Sequence, residues 1–164
     1  MIIRPELPED QPSSIEIERA AFGTPEEATI VERVRDEPGS WALVAEVDGE
    51  VVGHVQMSAA RIGDDSVLAL GPIGVLPAYQ RRGIGSSLIA AALAGAVERG
   101  SAAVILLGSP SFYGSRGFEP AATYGLANPF ATLLPDGFEI VEEHFQIAVL
   151  DVDRLREMSG IVRW

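Results

Sequence analysis

An apolar run rich in Val, Leu and Ile ends at Val75. It passes through a short turn carrying Pro77 into Gln80-Arg81-Arg82-Gly83-Ile84-Gly85, and a segment of helical period follows. This is a strand, a glycine loop and a helix. In the helix, Leu88, Ile89, Ala92, Leu93, Ala96 and Val97 recur at one- and four-residue steps, a stripe wide enough to lie on a sheet, and Gly100 is placed to stop it. A helix start leaves backbone N–H groups that favour an anion, and glycine at 83 and 85 removes the Cβ atoms that would hold a diphosphate away from them. The loop is built to hold an anion by its main chain.

Two common anion loops do not fit. A nucleoside-triphosphate loop needs Gly-Lys-Ser/Thr, whereas Ile84-Gly85-Ser86-Ser87 has no lysine, so an enzyme of nucleotide phosphates lacks its neutralising charge. A dinucleotide fingerprint needs a third glycine where Leu88 stands. The order Ile73-Gly74-Val75-Leu76-Pro77, then Gln-x-x-Gly-x-Gly, then a long amphipathic helix resembles instead the acetyl-coenzyme A loop of the GNAT superfamily of N-acetyltransferases. A second stretch agrees with it. After the short apolar run Ala103 to Leu107, Gly108-Ser109-Pro110-Ser111-Phe112-Tyr113-Gly114-Ser115-Arg116-Gly117-Phe118-Glu119-Pro120 is similar to the segment of that family that contacts the far side of the cofactor. Its form resembles one bacterial branch of small acetyltransferases.

The resemblance implies an α/β fold of the GNAT type, a central mixed sheet flanked by helices, with a bulged fourth strand splayed from its parallel neighbour and the thioester in the opening. Gly71-Pro72 is where that strand breaks, because Pro72 cannot donate to a ladder and a glycine permits a bulge. It further implies acetyl-CoA as cofactor, bound by Ile73, Gly74, Val75, Gln80, Arg81, Arg82, Gly83, Ile84, Gly85, Ser86, Ser109 and Tyr113. An N–H near Ile73 would polarise the acetyl carbonyl, and the Arg81-Arg82 guanidinium groups suit a further phosphate. The reaction implied is direct transfer of acetyl to a primary amine within a ternary complex, Tyr113 protonating the departing thiolate. A phenol of ordinary pKa, about 10, stays protonated at neutral pH. The rival role for Tyr113 is packing with Phe112 and Phe118.

Two positions depart from the family. Ala69 stands where some members carry a glutamate base, and Gly108-Ser109 where many place an asparagine. The base is left open among His54, Glu26, Glu27, Glu119 and a water chain, and a module that binds acyl-CoA without turnover is the alternative function.

The 164 residues suit a single domain, 1–164, with no linker, repeat or low-complexity tract. Without a signal peptide or a membrane-length apolar stretch, the expectation is a soluble cytoplasmic protein. Zero cysteines exclude disulfides and a Cys-acyl intermediate, and the two distant histidines, His54 and His144, argue against a metal site. Asp plus Glu outnumber Lys plus Arg by 24 to 12, a formal charge of −12. That disfavours nucleic acid and would attract a cationic amine, a small molecule or a peptide, although excess acid also serves solubility alone.

Along the rest of the chain, Ile2 and Ile3 suggest a first strand, and Pro8 to Ala21 a helix with Ile15, Ile17, Ala20, Ala21 and Phe22 on or near its apolar side. Thr24-Pro25-Glu26-Glu27 reads as a capping box opening a helix to about Asp36. Asp48-Gly49 joins two strands, Trp41 to Val47 and Glu50 to Ala59, in a hairpin. Residues 121 to 137 read as loop, with Tyr124 and Phe130 on the acceptor side or in the core. Phe145 to Leu150 reads as a strand, and Asp151 onward as the start of a helix. Ile161, Val162 and Trp164 hint at packing on the body or on a homodimer partner.

Overall fold

Strand β1 (Ile2–Pro5) leads through a 3-10 turn into helices α1 (Gln11–Phe22) and α2 (Glu26–Val34), after which β2 (Trp41–Val47) and β3 (Glu50–Ile62) form the expected hairpin. Asp48 and Gly49 both adopt left-handed backbone, φ 52° and 84°, as a two-residue turn between twisted strands requires. Then come β4 (Asp65–Val75), α3 (Ile84–Glu98), β5 (Ala103–Leu107), the one-turn α4 (Pro110–Tyr113), β6 (Glu119–Pro120), β7 (Phe145–Val149), α5 (Val152–Glu157) and β8 (Val162–Arg163). This computed structural model describes residues 1 to 129 and 142 to 164. The reading of Phe130 as a site-lining or core residue, and of the loop beyond it to 137, lies outside the described residues.

The chain divides into two compact units, Met1–Ser58 with Leu70–Gly95, and Ala59–Ala69 with Ala96–Trp164. In the first, the strands lie in the order β1-β2-β3-β4. Gly53 on β3 lets α3 settle closely: a Cβ there would stand 3.1 Å from Leu88 and 3.2 Å from Ile84. The inward face of α3 is Ile84, Leu88, Ile89, Ala92 and Ala96, all buried, whereas Val97 is exposed and falls off the expected stripe. On α1 the buried residues are Ser14, Ile17 and Glu18, one helical face in which a carboxylate takes a core position, and Phe22 is exposed.

Helix α2 begins one residue later than the capping box predicts. Thr24 Oγ1 donates to the Glu27 carboxylate at 2.9 Å instead of capping an amide, so the helix opens after Pro25, and it ends at Val34.

In the second unit the order is β3-β4-β5-β7-β6, and β8 adds to β3. The parallel register of β4 on β5 covers Leu68↔Val104 and Ala69↔Ile105, which is two residues short of the Gly71-Pro72 break expected from sequence. The Gly71-Pro72 peptide is cis. Ile62, Val67, Ile105, Phe145, Ile147, Leu155 and Val162 form the core of this unit. The C-terminal segment packs on its own unit: Val162 is buried in β8, the Trp164 ring lies 5.8 Å from Phe145, and Ile161 is left exposed. Neither β6 nor β8 is expected from sequence, because two residues carry no period. Among the described residues no helix is long and apolar enough to cross a membrane.

Candidate active site

The loop of the first unit is bent by its own backbone. Arg81 holds φ 60° and Gly83 φ 82°; left-handed backbone costs an arginine energy and a glycine almost none. Open space surrounds the position a Cβ would take at Gly83. The Gln80 side-chain amide donates to the Val75 carbonyl at 3.0 Å, tying the loop to the end of β4, and the Ser87 amide donates to the Gly83 carbonyl at 3.0 Å as α3 begins. Gln80, Arg81, Arg82 and Gly83 are exposed, Gly85 and Ser86 half-buried and Ile84 buried. Arg82 stacks over the Tyr79 ring at 5.3 Å, and the Tyr79 hydroxyl donates to Glu50 at 2.8 Å. Thus Ile84 is a packing residue of α3, while its neighbours present main chain and guanidinium groups to solvent.

On β4, Ile73 and Val75 are half-buried and Gly74 is buried. The face carrying Gly74 looks onto α1, where a Cβ at 74 would stand 2.8 Å from Glu18 Oε2. Glu18 is closed to solvent, and its Oε1 lies 2.7 Å from Nδ1 of His54, also closed to solvent. Burial pushes the Glu18 carboxyl up to about 8, helped by the charge of Glu27 and opposed by the nearby Gly74 amide. Burial also lowers His54 to about 4, with Glu6 opposing and Arg35 adding to the effect. Burial thus disfavours the charged form of both groups, and one short hydrogen bond joins the Glu18 carboxyl group to Nδ1 of the ring. Of the groups weighed from sequence as a base, His54 is therefore brought to a carboxyl group and away from solvent. Glu27 is engaged by Thr24, and Glu119 accepts from the Tyr124 hydroxyl at 2.8 Å.

In the second unit, α4 starts at Ser109, whose carbonyl accepts from the Phe112 and Tyr113 amides. Tyr113 is half-buried, edge-on to Phe112 at 4.9 Å and to Phe118 at 5.7 Å. Its ring covers Gly108 so closely that a Cβ there would stand 2.2 Å from Cε2. A glycine at 108 thus has a local cause. Phe112 is exposed and carries Arg116 over its face at 3.8 Å. One residue that matters locally, Glu18, is absent from the sequence reading, and Gly108 enters it only as part of the second motif and as the place of a missing asparagine. The signal for Glu18 was its place on the same helical face as Ser14 and Ile17, and for Gly108 only its nearness to an aromatic ring five residues on.

Residues 5 to 118 match the family model described as the acetyltransferase (GNAT) family. The chain belongs to that family. It is 30% identical to the uncharacterized N-acetyltransferase YhbS of Escherichia coli K12, across 100% of this chain and 96% of that one. A crystal structure of E. coli YhbS in complex with CoA superposes with TM-score 0.87 at 30% identity, covering 99% of this chain and 88% of the other. A GNAT acetyltransferase from Brucella melitensis in complex with acetyl-CoA gives 0.76 at 29%, covering 99% and 94%. The GNAT fold, a mixed sheet flanked by helices, is therefore the fold of this chain, and its activity is that of an N-acetyltransferase.

Proposed function

We propose that residues 1–164 act as one domain that transfers acetyl from acetyl-CoA directly to a primary amine, with acceptor, cofactor and enzyme together in one complex. The reading rests chiefly on the Gln80–Ser86 loop: it turns left-handed at Arg81 and Gly83, leaves open space beside Gly83 and runs straight into a long helix. Relatives at 30% and 29% identity are crystallised with CoA and acetyl-CoA, which supports the same cofactor here.

The amides following Gly83 would hold the diphosphate, Arg81 and Arg82 would face its charge, and Ile73, Gly74 and Val75 would line the arm that carries the acyl group. The cofactor supplies an acetyl group activated as a thioester. The Ile73 N–H would donate to the carbonyl oxygen as charge develops there. Tyr113 holds a phenolic proton for the leaving sulfur, and Ser109 sets the start of the short helix that carries it. The absence of cysteine excludes a Cys-acyl intermediate, which supports direct attack by the amine. The acceptor is a small-molecule or peptide amine, and its cationic form would be attracted by the net charge of −12.

Thiol release from acetyl-CoA, measured over a panel of glycine, spermidine, a lysine peptide and an aminoglycoside, tests this. At least one amine is expected to give turnover that saturates in both substrates. Binding of acetyl-CoA without release of thiol from any amine would instead mark an acyl-CoA-binding module.

A further inference from the structure

A buried ionisable pair stands directly behind the strand that lines the proposed acyl site. Glu18 on α1 and His54 on β3 are both wholly closed to solvent, and only one contact between them is a good hydrogen bond, Glu18 Oε1 to His54 Nδ1 at 2.7 Å. The other two polar atoms are left over: Glu18 Oε2 and His54 Nε2 are buried and form no well-made hydrogen bond. Leaving polar atoms so is costly, and a packed apolar pair in their place would cost less. The direction in which Oε2 points gives the reason for keeping them. It presses on β4 where the side chain of residue 74 would begin, 2.8 Å from a Cβ there, with Glu18 Cδ at 3.0 Å and the Ala21 methyl at 3.2 Å. A side chain at position 74 would require that buried carboxyl group to shift.

Full burial also decides what kind of role this is. A group with no exposed surface does not meet an acceptor amine, so it works through the backbone it touches. We infer that Glu18, held by His54, is a positioning residue: it fixes the height of β4 at Gly74 and so places the neighbouring Ile73 and Val75 main chain for the acyl-CoA arm. This rests on the cofactor site proposed above.

The wedge has a charge state that can be changed. Around it stand Glu6, whose Oε1 is 3.8 Å from His54 Nε2, Arg35 paired to Glu6 at 3.2 Å, Glu27 from α2 and the Gly74 amide of β4. Burial pushes the Glu18 carboxyl up to about 8, so in alkali a carboxylate forms against the strand with Glu27 repelling it. Acetyl-CoA binding should therefore weaken in alkali through Glu18.

The test is calorimetric titration of acetyl-CoA into the whole protein and four variants. Gly74→Ala is expected to weaken binding about tenfold or more, since a small misplacement of a positioning backbone has large effects. Glu18→Ala combined with Gly74→Ala is expected to recover most of that loss, because the new methyl group occupies the space the carboxyl group leaves. Glu18→Gln, which keeps the shape and cannot ionise, should hold its own affinity constant from pH 7 to above pH 8, where wild type weakens; Glu18→Ala alone supplies the remaining corner of the cycle. If Gly74→Ala does not fold, the double variant and the pH comparison still decide. Equal affinity for Gly74→Ala and wild type, a double variant no better than Gly74→Ala, or identical pH profiles for wild type and Glu18→Gln would each overturn the inference. A wild-type protein that binds no acetyl-CoA at all would overturn the cofactor reading instead.

Discussion

Tyr113 lies on a seat that a glycine at 108 leaves open, between the edges of Phe112 and Phe118. If its phenol protonates the leaving thiolate, Tyr113→Phe keeps the rings in contact and removes only the proton. Turnover should then fall by about 10²- to 10⁴-fold with little change in the KM for acetyl-CoA. An unchanged kcat at saturating acetyl-CoA assigns Tyr113 to packing. Gly108→Ala asks the same question from beneath: its methyl group would displace the ring, costing about 1–3 kcal/mol of stability as overpacking does, and should lower turnover as well. A melting curve and an assay on the same sample separate the two effects. The buried pair makes a prediction in stability. Glu18 is raised from 4.5 to about 8 in the fold, so the folded chain keeps a proton the unfolded chain has lost, and stability falls as pH rises through that window. His54 is lowered from 6.5 to about 4, so its contribution is complete above 6.5 and disappears as pH falls through 4. The two oppose each other between 4.5 and 6.5, which leaves a net decline from 6.5 to 8. Wild type should lose melting temperature over that interval and Glu18→Gln should not. At this scale the sequence was readable where a residue type has one use, as with Gly83, and unreadable where the partner is distant in sequence, as with Glu18, whose partner His54 comes from another element.

The loop between β4 and α3 holds Arg81 in a conformation that suits glycine. Arg81→Gly should therefore melt at or above the wild-type temperature, gaining up to about 1 kcal/mol of relieved strain, while acetyl-CoA binds more weakly for want of the guanidinium group. A variant that loses both stability and affinity would show that Arg81 is held by contacts stronger than its backbone strain. Elements with a clear period were legible: the β2–β3 hairpin from Asp48-Gly49, β5 from its unbroken apolar run, and α3 from its stripe and Gly100. The exceptions have physical causes. Val97 continues the stripe in sequence, yet its side chain is exposed while that of Ala96 beside it is buried. Thr24 prefers a carboxylate to an amide, which shifts the start of α2. The two-residue strands β6 and β8 are made by pairing with β7 and β3 and by nothing in their own composition.

For the whole chain, the charge of −12 is set against a loop with two exposed arginines. An acidic protein attracts cationic amines from a distance and repels an anionic cofactor except where positive charge is concentrated. The KM for a polyamine acceptor should rise with ionic strength, whereas that for a neutral, weakly basic amine should stay nearly constant, since salt screens beyond about 8–10 Å. The fold was legible because two motifs occur in the right order, and the acceptor was not, because neither motif carries a feature that selects one amine over another. The central claim is that the main chain around Gly83 and Gly85 closes on the diphosphate of acetyl-CoA. Calorimetric titration of acetyl-CoA into wild type and Gly83→Val tests it most directly. Saturable one-site heat for wild type and none for the folded variant is the result predicted; equal heats for the two, or no heat for wild type, would contradict it.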